Sequence, residues 1–184
     1  MATKPKKDPA DELLPHTPGV IIVDNHWPEH RHVALRYGCP GNGGDVNPEW
    51  ESRNLQRVDL PFPMETAWLE PDPHTKELEP RVVKTVRVHR EVAASLGRVL
   101  TAILHDIYGG DLKSLRADKM HLFGGLYTYR PSTRTGELSM HGYAVAIDFG
   151  AEEIPEEVVA AFESEGWTWG GEDEPGHFEA TQGK

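Results

Sequence analysis

The sequence predicts an α+β fold in which a small antiparallel sheet is flanked by helices, with a groove on the sheet's other face. Three observations predict it. Val92, Leu96, Val99, Leu100, Ile103, Leu104 and Ile107 recur at spacings of three and four, the apolar face of a helix. Tyr143 to Phe149 alternates as a strand, with Tyr143, Val145 and Ile147 on one side and Ala144, Ala146 and Asp148 on the other. Leu122 to Tyr129 and Gly176 to Ala180 are two further short strand-like runs close by in the chain.

Taken in order, residues 1–18 hold four prolines and three lysines with few apolar groups, and predict a flexible arm. Residues 19–184 are then a single domain, in keeping with a chain of 184 residues. Gly19 to Asp24 is a β-branched apolar run that predicts a strand. Residues 38–80 are rich in Pro, Gly and Asn and predict an irregular stretch that shapes a groove. From about Arg81 to Tyr108 the pattern predicts a helix, stopped by Gly109-Gly110. A turn is expected from Pro131 to Gly136. Pro155-Glu-Glu opens a short helix, with proline suited to its first turn and the acids to the positive end of its dipole, and Gly166 ends it. Trp167 and Trp169 either line the groove or pack against the sheet.

With 38% hydrophobic and 27% charged residues, and five each of Trp, Tyr and Phe, the chain can build a core. No apolar run reaches the ~20 residues of a membrane span. The first residues are not followed by an apolar segment, so no standard secretion signal is expected and synthesis is expected in the cytoplasm. The net charge is −11, and residues 150–184 carry ten acids against one lysine, which argues against nucleic acid as a partner. The single cysteine, Cys39, excludes an internal disulfide framework, and its Gly-Cys-Pro-Gly setting reads as a loop rather than a nucleophile site.

The candidate chemistry lies in the last third. Ser139-Met-His141 and Asp148 bracket a small apolar strand, and Asp148 falls on its alanine face, where a carboxylate must be paired, hydrogen-bonded or bound to a cation. His141 and Asp148, together with the distant His177, would make a three-ligand zinc site for one ion, with a fourth position open as in catalytic sites. Glu174, three residues before His177 across Pro175-Gly176, can turn toward that open position as a general base. Arg130 can hold a substrate carboxylate or polarise a scissile carbonyl. His26, His30 and His32 do not make a second site, because Pro28 prevents the helix that would align them and no carboxylates accompany them.

The string Ser139-x-His141-x-x-Ala144-x-Ala146-x-Asp148, then Trp167-x-Trp169-Gly-Gly, then Glu174-x-x-His177-Phe, resembles the zinc D-Ala-D-Ala carboxypeptidase and L-alanyl-D-glutamate endopeptidase family. That family includes vancomycin-resistance dipeptidases and phage endolysins, and shares its fold with the hedgehog signalling domain. The resemblance covers roughly residues 55–180 and is most specific over 120–180. It implies a hedgehog/DD-peptidase-like fold and a zinc metallopeptidase that hydrolyses peptidoglycan stem peptides. It implies His141, Asp148 and His177 as zinc ligands, Glu174 as catalytic base, Arg130 as the carbonyl-steadying arginine and Ser139 as substrate-binding. Ala144 departs from the glycine frequent in the family, and is expected to narrow the site by one methyl. Together with the missing signal, the resemblance points to a phage-type lysin that acts on the cell wall after release, or to a virion-associated enzyme. The alternative is an inactive, zinc-stabilised binding module or phage structural protein of the same fold.

Overall fold

The structure, a computed structural model, describes residues 26–42, 45–130 and 137–183. The expected arm over 1–18, the strand over 19–24 and the turn over 131–136 lie outside the described residues. A 3-10 turn (His30–His32) leads into α1 (Val33–Tyr37), a ribbon of β1 (Gly41–Asn42) and β2 (Asp45–Val46), and α2 (Pro48–Asn54). There follow β3 (Leu55–Pro71), β4 (Leu78–His89), and α3 (Ala93–Ala102), which runs on as a π-helical turn over Ile103–Ile107. The chain continues through α4 (Leu112–Ala117), β5 (Leu122–Gly125), a 3-10 turn (Met140–Tyr143), β6 (Ala146–Phe149), α5 (Glu156–Ser164), β7 (Thr168–Trp169) and β8 (His177–Glu179).

The α+β class holds, but the sheet is larger than expected: six strands in the order β4-β3-β5-β6-β8-β7. It is also not wholly antiparallel, because β3 runs parallel to β5 through Glu65–Leu122 and Thr66–Phe123. The enlargement comes from the stretch expected to be irregular. β3 and β4 form a long antiparallel hairpin, interrupted where the register shifts between Asp59 and Met64. Pro61 and Pro63 fall in that interruption. Prolines have no N–H for the ladder, so they sit where pairing is broken, and the strand continues on either side of them. The turn between the strands is held by the Asp72 carboxylate, which accepts from His74 N–H at 2.8 Å and Thr75 N–H at 2.7 Å.

The predicted helix from Arg81 to Tyr108 is corrected at its start. Arg81 to His89 belong to β4, where Val86 and Val88 are buried at a period of two, and the helix begins at Ala93. From there the expected apolar face is the buried one: Leu96, Val99, Leu100, Ile103 and Leu104 pack into the core. Gly109 and Gly110, both at positive φ, close it with a bond from Gly110 N–H to the Leu104 carbonyl at 2.7 Å.

The run through Tyr143 is shorter as a strand than the alternation predicts. Residues 140–143 form the 3-10 turn, Ala144 takes a left-handed conformation (φ 57°, ψ 36°), and only Ala146–Phe149 pair as β6. Tyr129 likewise lies beyond the end of β5. Helix α5 covers the face opposite the groove. Its Phe162 stacks on Phe178 of β8 at 4.0 Å and meets Phe149 of β6 edge-on at 6.0 Å. The Arg98 guanidinium makes two bonds, of 2.7 and 2.8 Å, to the buried Glu165 carboxylate, tying α3 to the end of α5. No helix among the described residues is long and apolar enough to cross a membrane.

Candidate metal centre

Strand register brings the first two groups together. Asp148 of β6 pairs directly with His177 of β8, so the two side chains stand side by side on one face. Asp148 Oδ1 lies 2.7 Å from His177 Nδ1. On its other side β5 offers Gly124, where a Cβ would come within 2.8 Å of the Asp148 Cβ, so the absence of a side chain is what admits the carboxylate.

His141 arrives from the 3-10 turn. The Ser139 hydroxyl accepts from His141 N–H at 3.3 Å, and Ala144 ends the turn in its left-handed conformation. The imidazole is 6% exposed, its Nδ1 is 2.8 Å from the Leu126 carbonyl, and its Nε2 is 3.1 Å from Asp148 Oδ2. Ala144 is fully buried, and the left-handed backbone costs a non-glycine residue about 1 kcal/mol. A glycine would adopt it freely. The effect of the alanine is therefore on the backbone behind His141, whereas the sequence pointed to a narrowing of the groove; Ala144 is not among the residues lining the cleft.

A count of donors and acceptors characterises the cluster. Both nitrogens of His141 face acceptors, the Leu126 carbonyl and Asp148. Both nitrogens of His177 face carboxylates, Asp148 on one side and Glu179 Oε2 at 3.2 Å on the other. A neutral imidazole has one N–H, so two neutral rings can serve only two of these four contacts. The remainder requires extra protons or a cation among the inward-facing lone pairs. Accordingly, burial works against charge on His177, but the hydrogen bonds to Asp148 and Glu179 outweigh it and push its pKa up to about 9. Burial raises the Asp148 pKa, but its bonds to the two histidines hold it well below the usual carboxylate range. Glu179 is held low in the same way by His177 and Thr181 against its burial.

His141, Asp148 and His177 each offer one ligand atom, all within 4.8 Å of one another, and this is the group among the described residues that could hold a metal ion. Asp148 lies 2.7 Å from His177 Nδ1 and 3.1 Å from His141 Nε2, close enough for the three groups to share one cation. With a cation in the middle, His141 Nδ1–H and His177 Nε2–H are left to serve Leu126 and Glu179, and every contact is matched. The residues fit.

The cluster opens into a cleft of about 720 Å³ that is also lined by Arg130, Ser139 and Glu174. All six residues singled out in the sequence thus border one cavity. Glu174 is carried on a tight turn, its N–H bonded to the Gly171 carbonyl and its carbonyl to His177 N–H at 3.0 Å. Trp169 braces that turn, donating from Nε1 to the Pro175 carbonyl at 2.7 Å. Trp167 is 3% exposed and bonded to Ser95, so it packs in the core. Neither tryptophan lines the cleft. Arg130 is exposed at its rim, and its carbonyl accepts from Ser139 N–H at 3.2 Å.

Glu179 and His30 are among the cleft residues that were not foreseen. Glu179 follows His177 by two positions in a strand, a period that puts both on the same face and could have flagged it. His30 lines the cleft because His30 N–H bonds the Gln182 carbonyl at 3.3 Å, a long-range contact with no local signal. Cys39 is exposed, with its thiol on the Gly41 carbonyl, and does not line the cleft. Compared with family models, curated proteins and solved structures, the chain has no significant match.

Proposed function

We propose that the chain is a zinc-dependent peptidase that cleaves the stem peptides of peptidoglycan, at either a D-Ala-D-Ala or an L-Ala-D-Glu bond. The observation that carries the metal is the excess of acceptors around His141 and His177, which a divalent cation held by His141, Asp148 and His177 resolves. A donor set of two imidazoles and one carboxylate, with three protein ligands in an open cleft, suits catalytic zinc. Zinc held there by His141, Asp148 and His177 would supply Lewis acidity, to polarise a carbonyl and to make water acidic enough to lose a proton near pH 7.

The chain's own groups then divide the work. Glu174, on the turn beside His177, takes the proton of the attacking water and returns it to the departing amine. The water oxygen adds to the carbonyl carbon, and the C–N bond breaks as the nitrogen is protonated. Arg130 donates to the carbonyl oxygen as negative charge builds there, or holds the carboxylate of a C-terminal substrate. Ser139, anchored at the start of the 3-10 turn, lies where it can bind substrate and fixes the entry of His141. The likeness of the Ser-x-His to Asp and Glu-x-x-His strings to the zinc cell-wall peptidases supports the substrate class, and with it a lysin-type role.

The test is Glu174→Ala. An enzyme keeps its zinc and loses hydrolysis of purified cell walls, whereas a zinc-stabilised binding module shows no hydrolysis even as wild type.

A further inference from the structure

We propose that Glu179 is a positioning residue for the metal centre, fixing the tautomer and ring orientation of His177 through Nε2; this rests on the metal reading of His141, Asp148 and His177. A histidine ring can flip about Cβ–Cγ and can carry its proton on either nitrogen. One combination turns the Nδ1 lone pair toward the point it shares with the Asp148 carboxylate and His141 Nε2, where a cation would sit, and keeps the proton on Nε2.

Glu179 selects that combination. It lies two residues beyond His177 on β8, on the same face, with Oε2 3.2 Å from Nε2. An ionised carboxylate only accepts hydrogen bonds, so it holds the proton at Nε2 and leaves Nδ1 bare. Glu179 is itself fixed. It is 4% exposed, and the Thr181 hydroxyl donates to its Oε1 at 2.6 Å. Its cross-strand neighbours are Ala146 and Thr168, small enough to leave it room. A buried carboxylate is costly without partners, and here every oxygen has one. His141 is oriented by the same device, with the Leu126 carbonyl in the place of Glu179. An outer partner of this kind aims the ring and raises its basicity toward the metal.

The experiment measures zinc affinity by chelator competition, and His177 ring-nitrogen shifts by long-range 1H–15N NMR on zinc-loaded protein, for wild type, E179A and E179Q. Wild type shows Nε2 protonated and Nδ1 unprotonated, with the shift of a metal-bound nitrogen. E179A loses about 10- to 100-fold in affinity, and its His177 signals shift or broaden as the ring is freed. E179Q, whose amide oxygen still accepts from Nε2, keeps most of the affinity and the wild-type tautomer. Unchanged affinity and shifts in E179A overturn the proposal, and so does a folded E179Q that loses as much as E179A. If E179A does not fold, E179Q and Thr181→Val decide: Thr181→Val, which releases Oε1, shows an intermediate loss if the proposal holds and none if it fails. A wild type that takes up no zinc overturns the metal reading itself, whereas zinc-binding wild type with an indifferent E179A overturns the role of Glu179 alone.

Discussion

Two buried settings in this molecule treat the same side chain in opposite ways. In the cleft, His177 lies between two carboxylates and its pKa rises to about 9. At the end of β4, His89 is 2% exposed and packed against the rings of Tyr37 at 4.2 Å and Trp50 at 5.9 Å. Burial pushes its pKa down to about 4, and its Nε2 and the Tyr37 hydroxyl are buried without a hydrogen-bond partner among the described residues. Burial alone therefore does not decide the charge a histidine carries. The cleft is set apart by acceptors gathered around its rings, a demand for positive charge that the aromatic pocket around His89 does not create.

The two settings should differ most when His177 or Asp148 is removed. His177→Ala or Asp148→Ala should abolish stoichiometric zinc binding, read by metal analysis after dialysis, while His89→Phe leaves zinc content unchanged. Zinc affinity of the wild type should also weaken as pH falls below about 9, where metal-free His177 takes up a proton that zinc must displace. Loading that persists unchanged at pH 4 would contradict ligation by histidine.

Next in size is Glu174→Ala, which should lower the rate of cell-wall hydrolysis by about 10²- to 10⁴-fold with zinc content intact. A parallel loss of zinc would make Glu174 part of the metal site.

His89 gives the third effect. Its folded pKa of about 4 lies below the unfolded value of 6.5, so between these the unfolded chain binds more protons. The stability due to neutral His89 is full above pH 6.5 and is lost as pH falls toward 4, on the order of 3 kcal/mol in all. Thermal melts of chelator-treated protein at pH 7 and pH 4.5 should show a larger drop for wild type than for His89→Phe. Equal drops would mean that His89 is protonated without penalty.

The smallest effect concerns Tyr37. Removing a buried hydroxyl that lacks a partner is neutral or favourable, so Tyr37→Phe should stabilise by up to about 1 kcal/mol. A clear fall in melting temperature would reveal a partner for that hydroxyl.

In the cleft, His141 and Asp148 were legible from local signals, whereas His177 and Glu174 rested more on the likeness to a family string. Met140 to Phe149 carries both a ligand spacing and a strand alternation, and the Glu174–His177 turn announces itself through Pro175-Gly176. Helix α3 was legible from its apolar face, though not its start, since Val82 to Val88 fits a loose helical pattern until its β-branching is weighed. The β3–β4 hairpin was hidden by its prolines. Pro61 and Pro63 read as loop residues because the register shift that shelters them is made by a partner strand some twenty residues away. His30 was hidden for the same kind of reason, since its place at the cleft depends on Gln182 at the far end of the chain.

The proposed activity needs His141, Asp148 and His177 to hold a zinc ion which, with Glu174, hydrolyses peptide bonds of the cell wall. It is tested most directly by mass spectrometry of purified peptidoglycan incubated with zinc-loaded wild type and with zinc-loaded Glu174→Ala. Wild type should release new stem-peptide fragments, with cleavage at one defined bond, and the variant none. Walls left intact by a wild type that carries one equivalent of zinc would contradict it.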